Sequence, residues 1–434
     1  MRGENGQSEY HKNYRTMETR MTIQLRRFMV TLSIASSVAA GAAHAENIKV
    51  AFIDPLSGSL AASGQAALKQ FQTIAEFSNR GKWAGDNTLE FVGFDSRGSP
   101  QEALVQLKMA ADQGYRYIAQ GAGSGAALAL LDAINKHNER NPGKEMVLLN
   151  YAAADPGMTN EKCSFWHFRF DANSDMKVEA LTDFIAKDQS VKKVYLIHQN
   201  YAAGQQFQRA TKEYLKRKRP DIQIVGDDLH PIGQVKDFSP YVAKMKAAGA
   251  DTVITGNWGP DAALLIKAVK DAGLIVNIYA PYATTSGVAT AMGESGVGRV
   301  KGLAAWHVNN ETFSGKEIVD FHKKKYNEDL VIAGIYPLVS VFSQGIKSAR
   351  SSDPIKVGFA MEGLKMKALN GEVEMRKTDH QLQQPLYIMN WVKTNGKDVK
   401  YDQENTGYGW KTVRKIDTYV TTQPTSCQMK HPAQ

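Results

Sequence analysis

The stretch best suited to bind an anion follows a short apolar segment, residues 115–119, which predicts a buried strand. The small residues Gly121-Ala-Gly-Ser124 come next, and the apolar spacing over residues 125–138 predicts a helix. The first turn of a helix presents N–H groups without backbone partners and the positive end of the helix dipole. Small side chains let a ligand approach that backbone closely, so we expect a carboxylate to bind at Ser124 and Gly125.

The same segment has two other interpretations. Ser124 could cap the helix without binding a ligand, and this alternative stays open. Gly121-x-Gly123 also resembles the start of a dinucleotide-binding fingerprint, G-x-G-x-x-G. However, Ala126 replaces the third glycine, the segment follows the third predicted strand rather than the first, and no acidic residue ends the next strand. These departures argue against a dinucleotide, and no cofactor is predicted.

The rest of the chain lacks the residue clusters that an enzyme would need. The histidines beyond residue 45 show no H-x-H or H-x-x-x-H spacing of the kind that holds a metal. The stretch Gly121–Gly125 has serine in its fourth place, so it does not match the nucleophile elbow G-x-S-x-G. We therefore predict a protein that is not an enzyme and that holds no metal.

The charge balance is basic, with 53 Lys and Arg against 44 Asp and Glu, a formal net charge of +9 over 434 residues. A nucleic-acid partner would need that charge gathered on one face with aromatic residues for stacking. The basic run 212–219 lies on a single predicted helix and contains only Tyr214. A solvated helix face explains it better, so no nucleic-acid partner is predicted. Two cysteines exclude a disulfide-dense scaffold and a four-thiolate zinc site.

The first 45 residues have the layout of a secretory signal peptide with an upstream extension. Two arginines precede the apolar run 28–43, and Ala43-His-Ala45 fits the small-x-small cleavage rule. The run is shorter than the roughly 20 apolar residues of a membrane span. We predict cleavage after Ala45 and export to the periplasm, an oxidising compartment in which Cys163 and Cys427 could pair. Their spacing leaves that pairing open.

Short β-branched stretches alternate with amphipathic ones in two series, over residues 46–150 and 192–305. The pattern indicates βαβ units, and therefore parallel sheets with helices on both faces. Near the C-terminus, residues 371–375, 386–392 and 416–421 predict strands of an antiparallel ending. The predicted fold class is α/β with two similar lobes.

Several short motifs follow one another along the chain at characteristic distances. They are Asp54-Pro-Leu-Ser-Gly-Ser-Leu-Ala-Ala-Ser-Gly64, Gly121-Ala-Gly-Ser124, Ala152-Ala-Ala-Asp-Pro-Gly-Met-Thr159, Asn200-Tyr-Ala-Ala-Gly204, Gly256-Asn-Trp-Gly-Pro260 and Asp379-His-Gln381. In this order and spacing, residues 46–420 resemble the type I periplasmic solute-binding proteins of ABC importers, in the branched-chain amino-acid-binding (leucine/isoleucine/valine-type) family. No single motif is specific, and the likeness rests on their succession.

The resemblance implies two Rossmann-like lobes joined by a three-stranded hinge, the periplasmic binding protein type I fold. Carried onto this chain, lobe one comprises residues 46–170 and 303–372, and lobe two comprises residues 171–302 and 373–434. Lobes of this kind close on a ligand like a Venus flytrap. Ligands of open α/β sheets bind at the carboxyl ends of the strands, where the motifs lie.

The resemblance also implies ligand-binding residues in lobe one. Ser124 matches the family's carboxylate-binding serine, and Ser63 stands where the family often has an aromatic pocket residue. Ala152 would offer a backbone group. Ala154 replaces a threonine whose hydroxyl and N–H hold the ligand carboxylate in the family, so here only the N–H remains.

Lobe two supplies aromatic residues and one departure from the family. Tyr201 and Trp258 match aromatic positions that could sandwich an apolar or aromatic ligand, although ordinary packing would also explain them. Tyr282 stands where the family has an acidic residue that pairs with the ligand ammonium. A buried ammonium without a carboxylate partner is costly, so a phenol replaces that acid poorly. The acidic residues that could substitute for it are Asp175, Asp171 and Asp261.

The resemblance implies an exported, monomeric solute-binding component that passes a small-molecule ligand to the permease and ATPase subunits of an ABC importer. The loss of both the threonine hydroxyl and the acid favours a carboxylate or amide that lacks an α-ammonium, with aromatic acids among the candidates. Thr284, Thr285 and Ser286 could then bind its polar end. Two alternatives stay open: a branched-chain or other amino acid as the transported ligand, and a ligand sensor for a membrane receptor.

Overall fold

The computed structural model describes residues 45–433, so all of the predicted signal peptide except Ala45 lies outside the described residues. The strands of the first sheet are β1 (Asn47–Asp54), β2 (Thr88–Asp95), β3 (Tyr117–Gln120), β4 (Val147–Asn150) and β5 (His167–Arg169). They are parallel, in the order β2-β1-β3-β4-β5. The helices between them are α1 (Ala61–Arg80), α2 (Pro100–Asp112) and α3 (Ser124–Arg140).

The strands of this sheet are buried because helices cover both faces. Phe52 of β1 packs against Phe71 of α1 on one face, with ring centroids 5.6 Å apart. Ile53, the next residue of β1, belongs to a second core on the other face together with Leu107 of α2 and Leu130 of α3. Burial on both faces explains why the strands are nearly continuous apolar runs.

The second half of the chain repeats this alternation. Its strands are β6 (Lys193–Gln199), β7 (Gln223–His230), β8 (Thr252–Thr255), β9 (Asn277–Tyr279) and β10 (Val300–Ala304). Its helices are α4 (Ser174–Ile185), α5 (Ala202–Lys218), α6 (Ser239–Ala247), α7 (Gly259–Asp271) and α8 (Val288–Met292). The five strands are parallel and lie in the order β10-β9-β8-β6-β7.

After β10 the chain returns to the first sheet and then ends on the second. The next helices are α9 (Lys316–Tyr326), α10 (Ile335–Ala349) and α11 (Pro354–Met361). Phe342 of α10 packs against Tyr117 of β3, with ring centroids 4.6 Å apart. A small antiparallel sheet follows, made of β11 (Lys365–Ala368), β12 (Gly371–Met375) and β13 (Leu382–Gln383). Finally β14 (Leu386–Lys393) and β15 (Tyr408–Ile416) extend the second sheet beyond β10 as antiparallel strands, and α12 (Thr418–Thr421) follows them.

The predicted α/β fold with two lobes is confirmed. One strand prediction is wrong, because residues 416–421 contain the end of β15 and the short helix α12. The β15 strand escapes the sequence pattern because only one of its faces is well buried and lysines and arginines occupy the other. Its buried Trp410 packs against Trp391 of β14, with ring centroids 5.0 Å apart. Among residues 45–433, no helix combines the length and apolar character needed to cross a bilayer.

The chain passes between the two large sheets three times: between β5 and α4, after β10, and between β13 and β14. The first and third crossings lie side by side, since Arg169 and Gln381 form a parallel β-bridge. The Gln381 side chain also donates a hydrogen bond to the Asp171 carbonyl, at 2.9 Å. The crossings are thus held to each other by side chains as well as by backbone, and the residue boundaries assigned to the lobes stay a prediction.

The last residues of the chain turn back toward elements that the sequence assigns to lobe one. Cys427 forms a disulfide with Cys163, with their Cα atoms 5.6 Å apart. The Thr425 hydroxyl donates to the Thr159 carbonyl at 2.7 Å, which ties the same tail to the turn after β4. The disulfide that the spacing left open is therefore present, and it draws the end of the predicted lobe-two tail onto lobe one.

Candidate ligand-binding site

A cavity of about 100 Å³ lies between the two large sheets, at the carboxyl ends of their parallel strands. Most of the predicted ligand-binding residues line it: Ser63, Ser124, Ala152, Tyr201, Trp258 and Tyr282. The predicted polar group of Thr284, Thr285 and Ser286 lines it as well. Both lobes therefore contribute to one enclosure, although nothing bound marks which of these residues contact a ligand.

Three predicted residues do not line this cavity, for identifiable reasons. Gly125 faces helix α2, because a Cβ there would lie 3.7 Å from a ring carbon of Pro100. Ala154 is buried, and its carbonyl accepts hydrogen bonds from the backbone N–H and the hydroxyl of Ser174, at 2.9 and 3.0 Å. Asp175 pairs with Arg209 instead, at 2.6 Å.

A buried carboxylate shapes the loop that precedes α3. Asp54, the last residue of β1, accepts hydrogen bonds from the backbone N–H groups of Gly121 and Ala122, at 3.1 and 3.0 Å. It also accepts from the Tyr151 hydroxyl at 2.7 Å and from the Gln120 amide at 2.9 Å. Burial raises the pKa of Asp54 to about 7, although these hydrogen bonds act in the opposite direction. The first two N–H groups of the loop are therefore used by the protein itself.

Ser124 is the first group of α3 that remains for a ligand. Its Oγ accepts a hydrogen bond from the Asp155 N–H at 3.2 Å, so its own hydroxyl proton is available for donation. Gly123 before it has φ +100°, in the region that favours glycine, and no side chain caps the helix. The N–H of Ala152 donates to the Asn150 side chain at 3.1 Å, so Ala152 cannot offer that group to a ligand. The donors left at this end are thus Ser124 and the first turn of α3.

Aromatic rings from lobe two form the opposite wall. The Trp258 indole N–H donates to the Tyr201 hydroxyl at 3.1 Å, which joins the two rings edge to edge. Burial raises the pKa of both Tyr201 and Tyr282 well above the usual tyrosine range, so both phenols are neutral. The wall is therefore largely apolar, with neutral hydroxyl groups at its edges.

Among the cavity-lining residues that the structure describes, only Asp171 and Lys177 carry a charge. Their side chains lie 2.5 Å apart and are 12% and 4% exposed, respectively. The Lys177 ammonium also donates to the Ala172 carbonyl at 2.6 Å and lies 5.0 Å from the centre of the Tyr282 ring. Burial lowers the pKa of Lys177, while its ion pair with Asp171 acts in the opposite direction. The two charges thus neutralise each other in the cavity wall.

The lobes approach each other closely over the cavity. Gly259, the first residue of α7, has φ +58°, and a Cβ there would lie 3.0 Å from the Ser63 Oγ. Gly233 likewise leaves room for Ser59, since a Cβ at that glycine would lie 2.9 Å from the serine Oγ. These two glycines permit the closed arrangement in which the cavity is shielded on both sides. Within residues 45–433, no group of three or more His, Cys, Asp or Glu is arranged to hold a metal.

Residues 47–397 match the family model for the periplasmic binding proteins. The chain belongs to this family. One relative, the Leu/Ile/Val-binding protein homolog 4 of Brucella melitensis, is 29% identical over an alignment that covers 93% of this chain and 97% of that protein.

Two solved structures show the same fold. The closed conformation of a leucine-, isoleucine-, valine-, threonine- and alanine-binding protein from Brucella ovis has a TM-score of 0.76 and 27% identity, covering 89% of this chain and all (100%) of that one. An ABC transporter solute-binding protein from R. palustris, in complex with 4-hydroxybenzoate, has a TM-score of 0.72 and 22% identity, covering 86% and 97%. The chain is thus a periplasmic solute-binding protein of the ABC transporter type, in a family of binding proteins rather than enzymes.

Several cavity residues of this periplasmic binding protein have no sequence signal. Val331, Ile332 and Ala333 line the cavity from the loop between α9 and α10, and Leu303 lines it from β10. Lys177 lies one turn inside α4, where a lysine ordinarily faces solvent. The length of the preceding crossing decides which face of α4 meets the cavity, and an apolar loop has no periodicity, so neither could be read from residue types.

Proposed function

We propose that this binding protein is the exported, monomeric component of an ABC importer that captures a small carboxylate lacking an α-ammonium, preferably an aromatic one. The observation that carries the proposal is the charge of the cavity wall: Asp171 and Lys177 neutralise each other at 2.5 Å, and no other lining residue among those described is charged. The ligand anion would bind at Ser124 and the first turn of α3, and its apolar part would lie against the aromatic wall.

An α-amino acid would need a free carboxylate for its ammonium group. None of the acidic candidates is free in the cavity. Asp175 pairs with Arg209, and Asp261 lies outside the lining, where it accepts from Gln199 and from the Gly233 N–H, both at 2.8 Å. Tyr282, at the family's acidic position, is a neutral phenol. An amino acid would therefore bury its ammonium without an anionic partner.

Aromatic carboxylates suit the remaining features. The walls of the cavity are aromatic and aliphatic, and its volume of about 100 Å³ fits a compact ligand. The R. palustris protein of the same fold binds 4-hydroxybenzoate, so this architecture accommodates an aryl carboxylate. The names of the Brucella relatives favour a second candidate, a branched-chain amino acid.

Calorimetric titration distinguishes these candidates. We expect benzoate, 4-hydroxybenzoate and 3-phenylpropanoate to bind at least about tenfold more tightly than phenylalanine or leucine, because an unpaired buried ammonium costs about 1 to 3 kcal/mol. Trp258→Ala should weaken the aromatic acids, whereas Tyr419→Ala, which removes a ring that is 79% exposed, should leave their affinity unchanged. Tight binding of leucine with no binding of the aromatic acids would show the proposal to be wrong.

Uptake measurements test the transport role. Deletion of the gene should abolish uptake of radiolabelled benzoate by intact cells if the protein delivers its ligand to an importer. Unchanged uptake together with a lost cellular response to benzoate would instead identify a sensor for a membrane receptor.

A further inference from the structure

The buried Asp171–Lys177 pair lies in the cavity wall, but the proposed carboxylate contacts do not use it. A lysine ammonium has three donor hydrogens. Two go to the Asp171 carboxylate and the Ala172 carbonyl, at 2.5 and 2.6 Å, and the ammonium lies 5.0 Å from the centre of the Tyr282 ring. Lys177 is therefore fully occupied by the protein, and its effect on a ligand acts through Asp171.

A buried ion pair is weak evidence for a stabilising role, because the desolvation of two charges can exceed their attraction. Lys177 is 3% exposed as a whole residue, and its pair with Asp171 offers little that an apolar side chain would not. What the pair does change is the chemistry of the wall. Without Lys177, Asp171 would be an unpaired carboxylate facing the cavity, which is the group that an ammonium-bearing ligand requires.

Asp171 lies near the anion-binding end of the cavity. A Cβ on Gly334 would meet both the Tyr151 carbonyl oxygen, at 2.0 Å, and the Asp171 Cβ, at 3.2 Å. Asp171 and the backbone just before Ala152 therefore pack against the same glycine. The ammonium of an α-amino acid is one carbon away from its carboxylate, so Asp171 is suitably located to pair with it.

We propose that Lys177 is a specificity-determining residue: by occupying Asp171, it excludes α-amino acids from a cavity that would otherwise accept them. This inference rests on the proposed function, because it takes the cavity to bind a carboxylate. It assigns to Lys177 the choice between carboxylates with and without an α-ammonium.

The test uses two ligands that differ only in the α-ammonium, 3-phenylpropanoate and L-phenylalanine. In Lys177→Met the apolar stem is kept and the charge removed, so Asp171 becomes free. The ratio of the two dissociation constants should shift at least about tenfold toward phenylalanine, the size of a modest buried charge contact. If Lys177→Met does not fold, Lys177→Gln removes the same charge and should shift the ratio in the same direction.

The double variant Asp171→Asn/Lys177→Met is the matched control. It lacks both charges, so its ratio should return to that of the wild type, which a merely structural role of Lys177 would not produce. A folded Lys177→Met protein that binds 3-phenylpropanoate but shows an unchanged ratio overturns this inference alone. A wild type that binds phenylalanine more tightly than 3-phenylpropanoate overturns the proposed function and this inference together.

Discussion

Arg169→Met should lower the free energy of unfolding by about 3 to 5 kcal/mol. The guanidinium is fully buried and donates to the Gln381 side chain at 2.6 Å, to the Asp155 carbonyl at 2.5 Å and to the Thr159 hydroxyl. Burial lowers the pKa of Arg169 to about 10, so it stays charged at neutral pH. The variant would leave three buried acceptors without a donor, at the point where the first and third crossings meet.

A matched control is available on the surface. Arg209→Met removes an arginine whose side chain is 44% exposed and which pairs with Asp175 and Glu213. An exposed pair of this kind contributes at most about 1 kcal/mol, so this variant should unfold close to the wild-type midpoint. Urea denaturation of the three proteins provides the comparison. Equal midpoints for the Arg169 and Arg209 variants would contradict the structural role assigned to Arg169.

The stability of the protein should also fall as the pH rises from 4 to 7, by up to about 4 kcal/mol from Asp54 alone. Burial raises the pKa of Asp54 from 3.8 to about 7. Between these two values the folded protein retains a proton that the unfolded chain has released, so folding takes up a proton. The contribution to stability is therefore complete below about pH 4 and is lost as the pH rises through about 7.

Because other groups titrate over the same range, the measurement is a difference. Asp54→Asn removes the titration and keeps an oxygen that can accept from the loop N–H groups. The wild type should lose stability relative to this variant between pH 4 and 7. Burial would raise the pKa of Asp95 too, but hydrogen bonds from Ser57 and nearby backbone N–H groups outweigh it and lower that pKa. Asp95→Asn should therefore show the opposite sign, and parallel curves for wild type and Asp54→Asn would refute the prediction.

Much of the architecture could be predicted because it is written in local periodicity. Fully buried parallel strands are continuous apolar runs, and the helices between them have one apolar face, so the alternation was legible residue by residue. The strand β15 shows where this fails, since one well-buried face and a row of basic residues resemble a surface segment. The C-terminal tail is another case, because its contacts depend on a disulfide to a residue 264 positions away.

The candidate site was only partly accessible to prediction. Ser124, Tyr201 and Trp258 could be assigned to the cavity because they directly follow strands whose ends must converge. As ligand-binding residues they remain predictions. Gly125 and Asp175 are in the correct turns but point elsewhere, since one residue along a helix rotates a side chain by about 100°. A motif therefore locates a turn more reliably than it locates a side chain.

The sequence by itself determined the two-lobed α/β fold, the family and the replacement of an acidic residue by Tyr282, because these follow from order, period and residue type. Only the tertiary structure decided that Asp171 is neutralised by Lys177 and that Asp54 is buried beneath the anion-binding loop. The reason is physical: the chemistry of a charged group depends on its distance from other charges and from water. Six positions along the chain specify neither distance, whereas the packing of α4 against the crossing fixes both.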